Sequence, residues 1–211
     1  MEKFGDPTFK YHETLVKIWG LLALRFADER LLPMHPGDYA VELGKYVKKL
    51  PMYESLSGPM EVYETFGGPY KPFFKSLKKL TKATRRFERR RGRLEGRLEE
   101  EFNNFTDSEL PSVIYNRMKE ANERLMHFER GFIDPEGLKD RAWFKHVIYA
   151  PDISTGYASQ IFPALSEAFK TGDAEQIGLA VQQTAQRIAA ATELLKSDYD
   201  DDDDDDDDDE D

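Results

Sequence analysis

Apolar side chains recur at alternating steps of four and three along three stretches of this chain. That spacing commits the sequence to long amphipathic helices lying side by side. The first stripe runs through Phe73, Leu77, Leu80, Phe87, Leu94, Leu98, Phe102 and Phe105, with Thr84 and Arg91 as polar interruptions. The second takes Ile114, Met118, Ala121, Leu125, Phe128 and Phe132, and the third Ile177, Val181, Thr184, Ile188, Ala191 and Leu195. Each stripe must be covered by another element, and three together predict a helical bundle.

Shorter elements fill in around them. Asp6-Pro7 reads as a helix start, followed by Leu15, Ile18, Trp19, Leu22 and Phe26 at helical spacing. Leu21 and Leu24 extend the apolar surface, so this first helix is expected to be buried on most faces. Asp38 opens a second short helix that stops before Pro51, and the proline- and glycine-rich stretch 51–72 is expected to be irregular. Between the last two stripes lies Ile133 to Phe162, rich in Asp, Pro and Gly yet carrying Trp143, Phe144, Val147, Ile148 and Tyr149. A long loop with that apolar content is ordered and packed. A short helix from Tyr157 to Phe169 is expected after it. The fold class is therefore all-α: a bundle of about six helices, one long ordered loop and a disordered acidic C-terminal tail. Residues 1–196 make the domain and 197–211 the tail.

The formal net charge of −11 conceals this division. From Asp198 onward the chain has thirteen acidic residues and no basic one, leaving a body with 28 acidic against 30 basic residues. The tail has almost nothing to bury and repels itself, and it can attract divalent cations or basic partners. Cysteine is absent, so neither a disulfide nor a thiolate metal site is available. The most apolar run, Leu15 to Leu24, contains Lys17 and is half the ~20 residues a bilayer span needs. No membrane segment and no secretory signal are expected in this chain.

Catalytic motifs are missing. His12, His35, His127 and His146 do not pair at metal-ligand spacing, and there is no nucleophile elbow, phosphate loop or dinucleotide fingerprint. The arginine-rich run Arg85 to Arg97 is interrupted by Glu88 and Glu95 and followed by Glu99 to Glu101. Alternating charge on a long helix reads as a salt-bridged, solvated face rather than a nucleic-acid stripe. Asn104-Phe105-Thr106 is a formal glycosylation sequon whose Phe105 belongs to the apolar stripe.

Phe132-Ile133-Asp134-Pro135-Glu136-Gly137-Leu138 and the run from Arg141-Ala142-Trp143-Phe144 to Ala150-Pro151 resemble the C-terminal domain of the glutamate carboxypeptidase II and transferrin receptor family. The likeness extends to Glu2-Lys3-Phe4 through His12, to Asp38-Tyr39-Ala40-Val41, and from Tyr157-Ala158 to Leu195. It covers about residues 1 to 195 and is thinnest between 53 and 110. The resemblance implies a helical dimerisation domain that joins two protomers. It also implies that zinc belongs to full-length relatives only, held by a peptidase domain whose last histidine would lie just before Met1. Those relatives are membrane-anchored with this domain on the lumenal or extracellular side, and nothing here assigns a compartment to this chain. In carboxypeptidase members a Lys-Tyr pair helps bind the substrate's C-terminal residue. Tyr157 matches the tyrosine, but Gly156 stands at the lysine position, so only a vestige of substrate binding is implied. Packing at a helix start is the competing role for Tyr157.

The function expected is a non-catalytic dimerisation and interaction domain, with no catalytic or metal-binding residue and no cofactor. Its partners are a second copy or a related peptidase-like chain, and not nucleic acid. The interface is expected on Trp143 and Tyr149 of the loop and on Ile177, Val181, Ile188 and Leu195 of the last helix. The alternative is a C-terminal fragment of an active zinc carboxypeptidase or aminopeptidase whose catalytic domain lies outside this sequence.

Overall fold

The computed structural model describes residues 5–50, 70–102 and 110–196. They form six α-helices in chain order: α1 (Lys10–Asp28), α2 (Pro36–Val47), α3 (Lys71–Phe102), α4 (Ser112–Phe128), α5 (Pro163–Thr171) and α6 (Ala174–Leu194). A 3₁₀ turn (Glu129–Phe132) follows α4, and strands β1 (Tyr149–Pro151) and β2 (Ser159–Ile161) interrupt the loop before α5. The acidic tail, the stretch 51–69 and the sequon lie outside the described residues.

Over their described residues all three stripes face inward. On α3, Phe73, Leu80, Phe87, Leu94 and Leu98 are buried one below another. The two polar interruptions are buried with them. Thr84 Oγ1 donates back to the Thr81 carbonyl, the usual way a helical threonine satisfies its hydroxyl. Arg91 leaves the stripe to meet Glu95 at 2.7 Å and His35 at 3.1 Å, so its charge is partnered at the edge of the core. On α6, Val181, Thr184, Ile188, Ala191 and Leu195 are buried against α3, the 3₁₀ turn and α5. The centre is aromatic: Phe73 meets Phe162 edge-on at 5.2 Å, and Tyr39 of α2 stacks on Phe132 at 5.1 Å. Leu31, Leu94 and Leu98 form a smaller core with Ile114 and Met118, under which the first half of α4 packs.

Local chemistry sets the element ends. Pro36 supplies the first turn of α2, where its missing N–H costs nothing. Gly172, at φ 68°, closes α5 in the left-handed region, and Asp173 caps α6 by accepting from the Glu175 and Gln176 amides. The expected helix from Tyr157 is shorter than its apolar content suggested. Residues 157–162 pair back onto β1, with Ala150 opposite Gln160, and α5 begins only at Pro163.

The first helix departs most from expectation. It starts at Lys10 rather than at Pro7, although Asp6 still serves its first turn: its carboxylate accepts from the His12 amide at 2.9 Å and pairs with the His12 ring at 2.7 Å. Burial would raise the Asp6 carboxyl, but these bonds to His12 bring it below its ordinary value. Expected to be buried on most faces, α1 buries no residue at all. Among the described residues, the stripes of α3, α4 and α6 are covered by one another and by the elements between them rather than by α1.

Candidate interaction surface

Two side-chain clamps hold the segment that follows α1 against the bundle. Asn122 of α4 donates to the Arg30 carbonyl at 2.7 Å and accepts from the Leu32 amide at 2.9 Å. Glu88 of α3 accepts from the Gly37 amide at 3.3 Å and faces His35. Leu31 between them is buried. The base of α1 is therefore fixed while the helix itself stays in solvent. Leu15, Val16, Ile18, Trp19, Leu21, Leu22, Leu24 and Phe26 are each 45–70% exposed. At about half of the ~200 Å² that a large side chain offers, these eight amount to on the order of 800 Å², one partner's share of an ordinary interface. Apolar patches of that size mark partner sites.

The second exposed feature is the loop from 133 to 162. Its turns are built from side-chain bonds. Gly137, at φ 71°, allows the chain to pass within van der Waals range of Ala142, where a Cβ would stand 2.2 Å from the carbonyl oxygen. Asp152 Oδ1 accepts from the Ser154 and Thr155 amides at 2.8 Å each, which holds its carboxyl below the ordinary range. Arg141 is the anchor. Buried at 6% exposure, it donates to the Pro151 carbonyl and pairs with Glu167 of α5. Around this frame Trp143 is 73% exposed and leans on Phe144. Tyr149 is partly exposed and donates to Glu129 at 2.7 Å. Burial, then that bond, push its hydroxyl up to about 12.

The residues expected at an interface thus fall into two groups. Trp143 and Tyr149 are on the surface, and Ile177 is partly buried. Val181, Ile188 and Leu195 are at most 1% exposed and belong to the core, so they offer nothing to a second copy in this fold. The period of the last helix identified its buried face, and that face is covered from within the chain. Tyr157 is 99% exposed at the tip of the turn after Gly156, which rules out packing at a helix start. Helix α1, apolar on most faces and expected in the interior, is exposed instead.

His146 lies beneath this loop, stacked on Tyr149 at 4.1 Å, with Nδ1 accepting from the Ile148 amide at 3.2 Å. Burial lowers its pKa below the ordinary 6.5, and Glu129 opposes that shift in part. The folded chain therefore binds fewer protons than the unfolded chain just below pH 6.5, and stability present above that pH is lost as the pH falls. His146→Asn keeps an acceptor for Ile148 and removes the titration. Thermal melts from about pH 7.5 to about pH 5.5 are expected to decline less steeply in this variant than in the native chain. Parallel curves would show that His146 does not carry the effect.

Among the described residues, no group of three or more His, Cys, Asp or Glu side chains is placed to hold a metal ion, and no helix is long and apolar enough to cross a membrane. The profile of the transferrin receptor-like dimerisation domain matches residues 69–196. A probable glutamate carboxypeptidase of Arabidopsis thaliana, LAMP1, is 33% identical over 168 residues, covering 80% of this chain and 21% of the relative. A probable glutamate carboxypeptidase of Arthroderma benhamiae is 26% identical over 201 residues, 95% of this chain and 25% of the relative. An inactive zinc metalloprotease of Schizosaccharomyces pombe is 27% identical over 191 residues, 90% of this chain and 22% of the relative. The chain spans about a fifth to a quarter of the length of these curated relatives.

Proposed function

We propose that this chain, which belongs to the transferrin receptor-like dimerisation domain family, is a non-catalytic association module that pairs with a second copy through α1. The observation that carries the reading is the uncovered apolar surface of that helix, about the size one protomer contributes to a stable dimer. Burying it on a two-fold partner removes from water what the rest of the bundle leaves there. The exposed rings of Trp143 and Tyr149 extend the surface available to a partner. A relative named as an inactive zinc metalloprotease supports a role that does not depend on peptidase activity. No zinc or other cofactor is part of this proposal.

The test places charge on the helix. Leu15 and Trp19 are exposed neighbours one turn apart, so Leu15→Glu with Trp19→Glu leaves the core untouched. The double variant is expected to keep the native helical spectrum and elute as a monomer where the native chain elutes as a dimer. Unchanged elution of the native and variant chains contradicts the proposal.

One observation favours a second reading. Because the matched relatives are about four times as long as this chain, α1 could instead cover a peptidase domain of a longer polypeptide. Reading the genomic sequence upstream of the Met1 codon separates the two. An in-frame His-Ser-x-Tyr segment with zinc-ligand motifs assigns the chain to such an enzyme.

A further inference from the structure

A cleft of about 200 Å³ opens between α3 and α4. Six guanidinium groups line it: Arg90, Arg91, Arg93 and Arg97 from α3, and Arg117 and Arg124 from α4. Among the described residues, Glu120 is the one carboxylate in the lining. Arg91 is fixed by Glu95 at 2.7 Å and Arg124 by Glu120 at 2.6 Å, while Phe87, Leu94 and Ala121 form the apolar floor. A wall of planar, permanently charged groups on two rigid helices suits carboxylates, which it can grip in pairs.

The chain carries the matching anion. Helix α6 ends beside the cleft, where Arg90 Nη2 donates to the Leu195 carbonyl at 3.4 Å. Three residues further on begins the acidic segment, with thirteen carboxylates between Asp198 and Asp211. Fifteen residues from Ser197 reach roughly 50 Å when extended, whereas Arg90 to Arg97 spans only about 10 Å of helix. Reach is therefore ample, and a tether this short holds its anions at an effective concentration of roughly millimolar.

We propose that the acidic segment Asp198–Asp211 docks on the arginine-lined cleft between α3 and α4 of its own chain, where it excludes external polyanions. The contact is between many charges and need not fix one backbone path. It is electrostatic, so it weakens with salt.

The absence of cysteine makes the test direct, because Asp205→Cys provides a single attachment point for a nitroxide spin label. Amide signals of the isotopically labelled full chain are recorded at about 0.1 M and about 1 M salt, between which the screening length falls from about 10 Å to about 3 Å. The expected result is loss of the signals from Arg90 to Arg97 and from Arg117 to Arg124 at low salt, recovered at high salt. Recovery is also expected at low salt when Arg93→Glu and Arg97→Glu are introduced together. Undisturbed signals at low salt, or losses unaffected by salt and by the two substitutions, overturn the proposal. Mixing spin-labelled, isotopically silent chains with unlabelled, isotope-enriched ones examines the intramolecular claim. Losses of equal depth in that mixture overturn it in favour of docking on a second copy.

Discussion

Replacing Gly131 with valine is expected to lower the stability of the chain by about 3 kcal/mol, at the upper end of what overpacking costs. Gly131 sits in the 3₁₀ turn after α4, where α6 crosses it at closest approach. A Cβ at this position would stand 2.3 Å from the Ala191 Cα and 2.5 Å from the Ala191 nitrogen. Both are backbone atoms of α6, so no rotamer change relieves the clash and the helix itself must move. Moving it disturbs Phe132 and Ile188, which flank the contact and are fully buried. For a domain of this size, that loss corresponds to a melting temperature lower by roughly 6–12 °C. Gly44, in α2, provides the control, since nothing lies within 4 Å of a Cβ built there. Gly44→Ala is expected to be neutral or slightly stabilising through helix propensity. Equal melting temperatures for Gly131→Val and the native chain would show that α6 does not pack on the turn as described.

Arg141→Met is expected to cost about 3 kcal/mol, because it strands a partner as well as removing a charge. The guanidinium joins three parts of the loop region: the Pro151 carbonyl at the end of β1, Glu167 on α5, and the ring of Phe144 beneath it at 5.6 Å. Methionine retains much of the packing volume but leaves the Glu167 carboxylate, which is largely shielded from water, without its cation. The double substitution Arg141→Met with Glu167→Gln is therefore expected to recover part of the loss, a coupling readable by a double-mutant cycle. Additive effects would mean that the pair contributes no more than its separate contacts.

The helices were legible because their apolar period is long and regular. Phe73 to Leu98 and Leu125 to Phe132 read as inward faces and lie there, whereas Val181, Ile188 and Leu195, expected at an interface with a second copy, lie in the core. What periodicity cannot supply is the identity of the covering surface. Val181, Ile188 and Leu195 show a buried face whether a second copy or the chain's own α3 covers it, and here α3 does. The same limit misplaced α1, whose apolar residues on every side read as deep burial but lie exposed. The short strands were invisible for another reason. Three residues each give no alternation to detect, and their pairing depends on the turn at Asp152 rather than on β-propensity. Arg141 carried no periodic signal either. Its role emerges only when Pro151 and Glu167 are brought to it by the fold.

Association through α1 is the central claim, and sedimentation equilibrium of the native chain at micromolar concentration tests it most directly. A mass twice that of the 24.4 kDa chain is expected, together with little binding of a hydrophobic dye, because the apolar helix is covered in the dimer. A mass of 24.4 kDa across the concentration range contradicts it.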